Sequence, residues 1–211
     1  MGFYEENRDD MISYISTALA KFEVNSPRKQ KIRYDRFDHT MRVLKWMLLL
    51  YEAYPQKDRL DFDSLAVATL FHDIGYSEDC ENHAKSGAVL CRKYLEDRRH
   101  SLEKTDFICD LVARHSEKET LFQDIPVELI LLMEADLLDD TGAQALVMDT
   151  WMEVVGKEQV TFESILEHME AFSIRQMWEN PMRTEKGKQI WEEKRRLTEA
   201  FVEAYREDLR K

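Results

Sequence analysis

Four of the six histidines in this 211-residue chain lie beside apolar helical runs: His39 in Phe37-Asp-His39, His72 in Phe71-His72-Asp73, His83 in Glu81-Asn-His83 and His115 in Val112-Ala-Arg-His115. Asp136 follows another such run, Leu129-Ile-Leu-Leu-Met133. His100 and His168 sit in charged surroundings and read as structural or exposed residues. Burying an imidazole and a carboxylate without partners is costly. The His72-Asp73 pair, placed behind Ser64-Leu-Ala-Val-Ala-Thr-Leu-Phe71, therefore needs either hydrogen-bond partners or a cation. Imidazole and carboxylate without thiolate form the donor set of Mn²⁺, Fe²⁺, Ni²⁺, Zn²⁺ or Mg²⁺. Successive residues on a helix point about 100° apart, so His72 and Asp73 can share one ion only where several segments meet. His39 and Asp136 are the natural additions, in the way bundle cores assemble metal sites from facing helices. The blander alternative is a buried His–Asp hydrogen bond with no metal.

Apolar residues recur at helical spacing almost everywhere, and no stretch sustains strict alternation. Met11, Ile12, Ile15, Ala18, Leu19 and Phe22 predict a first helix, ended by Asn25-Ser-Pro27. Met41, Leu44, Met47, Leu48 and Tyr51 predict a second, stopped at Pro55. A third runs from a cap at Asp61 or Asp63 to about Asp73, where Gly75 can end it. Further helices are expected over 83–97, 102–115, 126–138, 140–155, 162–178 and 184–209. Only six Gly and four Pro punctuate the chain, as suits an all-α protein, and no repeat or composition break marks a domain boundary within 1–211. The helices at 37–54, 63–73 and 126–138 are expected to converge on the ion. The last helix is dense in charge, with Ile190, Trp191, Leu197, Phe201, Val202 and Tyr205 as its apolar stripe. It reads as a solvated helix packed on the bundle, a homodimer contact or a membrane-surface role being the lesser readings.

Composition narrows the partners. A net charge of −12 argues against DNA or long RNA. It leaves room for a small phosphorylated substrate beside a bound cation. No apolar run reaches membrane-span length, and the acidic, polar start does not resemble a signal peptide. Three cysteines without a C-x-x-C pair point to a reducing cytoplasm, with Cys80 and Cys91 expected as packing residues. No Walker glycine loop and no G-x-S-x-G elbow is present.

The order His39, His72-Asp73, Asp136 resembles the ligand series of the HD-domain metal-dependent phosphohydrolases. Asp38-His-Thr-Met-Arg-Val43, Leu70-Phe-His-Asp-Ile74 and Arg114-His-Ser116 extend the likeness. Glu134-Ala-Asp-Leu-Leu-Asp-Asp-Thr-Gly-Ala143 and Pro181-Met-Arg-Thr184 look like elements of the YedJ/YpgQ-like branch. The resemblance covers roughly residues 30–210. It implies a single HD-type helical bundle with a metal-site core at about 30–140 and C-terminal helices, 140–211, packed on it. It further implies His39, His72, Asp73 and Asp136 as ligands of one divalent metal. Two-metal relatives would add His83 and His115, with Asp73 bridging the ions; the closest branch resembles a one-metal site with both histidines lining the pocket. The implied reaction is attack of a metal-activated water on a phosphomonoester or pyrophosphate bond, the substrate being a nucleotide.

The residues beside the motifs supply the remaining roles. Lys85, Arg42 and Arg114 are the candidate phosphate-binding cations, with Lys85 also near the chemistry. Asp73 belongs to the catalytic set, and Glu81 or a metal-free His115 could move the proton. Two rivals stand beside this reading: a di-iron HD-fold oxygenase, and a non-catalytic module that senses a nucleotide.

Overall fold

A computed structural model describes residues 2–25 and 36–210. Among them are nine α-helices and no strand. In chain order these are α1 (Phe3–Asn25), α2 (Arg36–Ala53), α3 (Phe62–Phe71), α4 (His83–Asp97), α5 (Leu102–Arg114), α6 (Val127–Asp139), α7 (Ala143–Gly156), α8 (Phe162–Met169) and α9 (Glu185–Asp208). The chain divides into two compact units, Met1–Ala135 and Asp136–Lys211, with the boundary inside α6.

In the first unit α3 is buried from Ser64 through Phe71. A helix apolar on every side belongs at the centre of a bundle rather than at its surface. Both cap candidates before it are used, in different helices. The Asp61 carboxylate accepts from the Ser64 amide at 3.2 Å and caps α3. Asp63 instead accepts the free amides of Phe3 and Tyr4, at 3.1 and 2.8 Å, and so caps α1. At the far side of α1, Asp10 accepts from the Tyr94 hydroxyl at 2.5 Å and from Arg98 Nε at 3.0 Å, tying α1 to α4.

The third helix ends at Phe71, two residues before the expected Asp73, and Gly75 is not its stop. Asp73 adopts φ −103°, ψ 2°, the sparsely populated bridge conformation in which functional residues are often found. The chain then makes a 3₁₀ turn over Ile74–Ser77. Gly75 serves close packing: a Cβ there would stand 1.9 Å from the His83 carbonyl oxygen and 2.4 Å from the Gly87 amide. The turn after Asp73 therefore presses backbone to backbone on the first turns of α4.

The first helix begins earlier than expected, at Phe3, and reaches Asn25; the rest of its expected stop, Ser26 and Pro27, lies outside the described residues. All three cysteines are free thiols, Cys91 and Cys109 being buried and Cys80 exposed. Cys80 thus fills no core gap, because it lies in the turn between the 3₁₀ segment and α4.

In the second unit, α7, α8 and α9 pack around Leu146, Met169 and Val202. Gly142, at φ +75°, makes the left-handed step into α7 that a side chain would resist. The helix expected over 162–178 is present to Gln176 and carries a π segment. α8 starts from a Thr161/Ser164 capping box and ends at Met169, and a π turn follows over Glu170–Ile174. The apolar stripe of α9 is split as well: Ile190, Trp191 and Val202 are buried, whereas Leu197 and Phe201 stay about half exposed, at 49% and 48%. No described helix is long and apolar enough to cross a membrane.

Candidate metal centre

Four ends of elements in the first unit bring the chemistry together. His39 stands one turn inside α2 and is fully buried. His72 and Asp73 follow the last turn of α3. His83 is the first residue of α4, and His115 caps the C-terminus of α5. Their side chains converge on the two oxygens of Asp73. Oδ2 lies 3.5 Å from His39 Nε2 and 3.7 Å from His72 Nε2. Oδ1 lies 3.6 Å from both His83 Nε2 and His115 Nε2. Two donor groups of metal-binding dimensions, His39/His72/Asp73 and Asp73/His83/His115, thus share one carboxylate.

The hydrogen bonds behind the histidines orient them. His72 Nδ1 lies 2.8 Å from the Thr69 carbonyl, and His115 Nδ1 lies 2.7 Å from the Val112 carbonyl. A carbonyl can only accept, so each Nδ1 carries a proton and each ring presents its Nε2 inward, toward Asp73. The His72 and His39 Nε2 atoms are 3.4 Å apart. Nitrogens this close to one another and to a carboxylate call for a proton or a cation between them. This nitrogen and oxygen donor set suits a divalent transition metal.

Burial by itself would raise the Asp73 carboxyl. His72, a hydrogen bond with His115, Arg36 and His39 outweigh it and hold the group well below the usual carboxylate range. For His83 burial dominates and, helped by His115 and Arg36 against Asp73, lowers the imidazole from its ordinary value. A lowered His83 is neutral near pH 7, the form in which imidazole binds a metal.

Arg36 and Tyr76 are the members of this site that sequence reasoning did not single out. Arg36 Nη1 donates to Asp73 Oδ2 at 2.9 Å. Its guanidinium carbon stands 4.0 Å from the centre of the Tyr76 ring, and Tyr76 stacks on His83 at 4.2 Å with 15° between the planes. One signal pointed to the arginine: Arg36 precedes His39 by three residues, which puts both on one helix face.

The other expected site residues are distributed as follows. Asp136 is buried on α6 as the first residue of the second unit. Lys85 and Glu81 are exposed. Arg114 is engaged along its own segment by Asp110 at 3.1 Å and Glu117 at 3.8 Å. Arg42 is partly buried on α2, three residues beyond His39.

A model of the HD domain family matches residues 36–141. Solved structures share the fold along nearly the whole chain. An HD-superfamily hydrolase from Bacillus thuringiensis is 19% identical, with 97% of both chains covered and a TM-score of 0.68. YpgQ from Bacillus subtilis, solved in complex with ADP, is 16% identical, covers 97% of this chain and 95% of its own, and has a TM-score of 0.68. A predicted HD superfamily hydrolase from an uncultured Thermotogales bacterium is 16% identical, with 96% and 92% covered and a TM-score of 0.64. At such identities the likeness is one of fold. No curated protein matches the chain.

Proposed function

The chain belongs to the HD domain family, and from that premise we propose that it is a metal-dependent phosphohydrolase acting on a small phosphorylated substrate, specifically a nucleotide. The observation that carries this reading is the convergence of four imidazoles on the two oxygens of Asp73. His39, His72, Asp73 and Asp136 would hold one divalent cation. Such a cation, when bound, polarises phosphoryl oxygens and lowers the pKa of water.

The chain's own residues do the rest. Asp73 stays ionised because its surroundings favour the carboxylate. His115, with Nδ1 committed to Val112, offers Nε2 as the proton acceptor or donor at the buried side of the site. That geometry favours His115 over the exposed Glu81 as the proton-transfer group. Arg42 and Lys85 would supply phosphate-binding cations in this proposal, and Arg114 is engaged by Asp110 and Glu117. The net charge of −12 disfavours a polymeric anion, and a fold relative solved with ADP supports a nucleotide.

The test is a panel of nucleoside mono-, di- and triphosphates assayed with Mn²⁺, Mg²⁺, Ni²⁺ and Fe²⁺, with phosphate and pyrophosphate measured separately. Metal-dependent release of either, abolished by chelation, is expected. Ligand-dependent thermal stabilisation without turnover under every metal would favour a nucleotide sensor instead. A second reading, a two-iron oxygenase, is favoured by one observation: Asp73 Oδ1 faces His83 and His115 equally, at 3.6 Å. Two irons per chain with oxygen consumption would select it.

A further inference from the structure

We propose that Cys91 and Cys109 form a redox-active pair, in which Cys109 reduces a hydroperoxide admitted by a groove between α4 and α5 and Cys91 closes the disulfide. The two cysteines lie on helices that pack directly on one another. Cys91 is fully buried, whereas Cys109 keeps 6% of its surface open. Cys109 lines a groove of about 480 Å³ whose other walls include Ala88, Val89 and Arg92 of α4 and Asp106 and Ala113 of α5. The short side chains of the two alanines leave space there that longer ones would fill. A peroxide therefore reaches Cys109 from solvent, and reaches Cys91 only through it.

The thiols hydrogen-bond to each other, and that bond divides their roles. Burial first, and then the contact with Cys109, push the Cys91 thiol well above its ordinary value, so its proton stays on sulfur and is donated. The bond from Cys91 is the largest influence on Cys109 and lowers it; Arg92 acts the same way, against burial, Asp106 and Glu96. Arg92 is held in place by Asp106 at 2.7 Å, an ion pair that spans α4 and α5 at the groove. Thiolate is the nucleophilic form of cysteine, and oxidation begins at the lowered, accessible thiol. Cys91 is the natural second sulfur, buried until its neighbour becomes electrophilic.

The atoms balance with the hydroperoxide as the oxidant. The Cys109 thiolate attacks the O–O bond, takes one oxygen as sulfenic acid and expels alkoxide or hydroxide, which leaves as alcohol or water after gaining a proton. The Cys91 sulfur then attacks the Cys109 sulfur. The S–S bond forms, the S–O bond breaks, and the hydroxyl leaves as water with the Cys91 proton. Two thiols are oxidised to one disulfide, and the peroxide is reduced by the same two electrons.

The experiment treats the full chain and the variants Cys91→Ser, Cys91→Ala and Cys109→Ser with hydrogen peroxide, then counts thiols and maps disulfides by mass. The parent should lose the Cys91 and Cys109 thiols together, keep that of exposed Cys80 longer, and recover both with dithiothreitol. Cys91→Ser keeps a hydrogen-bond donor but cannot close the bond, so dimedone should trap a sulfenic acid at Cys109. Cys91→Ala removes the donor as well, and trapping should slow roughly threefold to tenfold, as the lost thiolate is partly offset by higher intrinsic nucleophilicity. Cys109→Ser should protect Cys91 from oxidation. Peroxide that oxidises Cys80 and leaves both partners free overturns the proposal, as does a disulfide that joins Cys80 or two chains. Equal trapping rates in Cys91→Ser and Cys91→Ala overturn it too. If Cys91→Ala does not fold, the disulfide mapped in the parent and the trapping in Cys91→Ser decide. None of these readouts involves a metal or a phosphate, so the result stands apart from the function proposed above.

Discussion

The carboxylate of Asp73 is both the most enclosed acid of the site and the one group that all four histidines address. Replacing it with alanine leaves each histidine group short of its shared donor. Asp73→Ala should lower Mn²⁺ affinity by more than the roughly 10–100-fold typical of an outer-shell change, read by metal analysis after dialysis. Retention of the parental metal content would refute its role as a ligand. His83 separates the one-ion and two-ion readings. In the one-ion reading His83→Ala keeps its metal and raises KM, because the ring only lines the pocket and helps position phosphate. Loss of a second ion in that variant, counted by elemental analysis, would assign His83 and His115 to a second metal.

At the level of elements, Asp61 makes α3 a defined helix and links it to its neighbours. Beyond capping α3, it pairs with Lys104 of α5 at 3.1 Å, and its amide donates to Glu128 of α6 at 2.9 Å. Burial pushes the Asp61 carboxyl up, but hydrogen bonds from Ser64 and Lys104 more than reverse this, leaving it lowered. A lowered carboxyl stabilises the fold above its unfolded pKa of about 3.9 and loses that contribution as pH falls through the folded value. Asp61→Ala should therefore cost about 1 kcal/mol near pH 7. The gap from the parent should shrink on acidification toward pH 3, as followed by urea unfolding; a gap independent of pH would argue against the charged cap.

Much at this level was legible in advance. The spans of α4, α5, α6 and α9 follow directly from apolar spacing, and His72-Asp73 stood out because acid and imidazole are out of place behind a buried run. Three features left no such trace. Asp63 caps a helix some 60 residues away, a partnership that no local pattern encodes. The π turn at Glu170–Ile174 adds a residue to a turn without altering the apolar content around it. Tyr76 reaches Arg36 and His83 only because Gly75 lets the 3₁₀ turn touch α4.

The whole molecule carries −12 charges around a site proposed to meet an anion. At long range the surface should repel a phosphorylated substrate, and salt should relieve the repulsion as the screening length falls from about 30 Å at 0.01 M to about 10 Å at 0.1 M. The expected outcome is a kcat/KM that rises over that interval when measured with the best phosphorylated substrate. A fall would mean that the cationic groups at the site govern the approach. The other molecular feature is that the two compact units part company inside a continuous helix, between Ala135 and Asp136 of α6. Inserting or deleting a single residue in the turns before Asp136 would rotate that carboxylate by about 100° relative to the helix start and shift it by about 1.5 Å along the axis. Length changes should thus be shut out of α6 and confined to the connections outside it, such as the 3₁₀ stretch at Lys118–Thr120. Among descendants of this chain, α6 is held to its length.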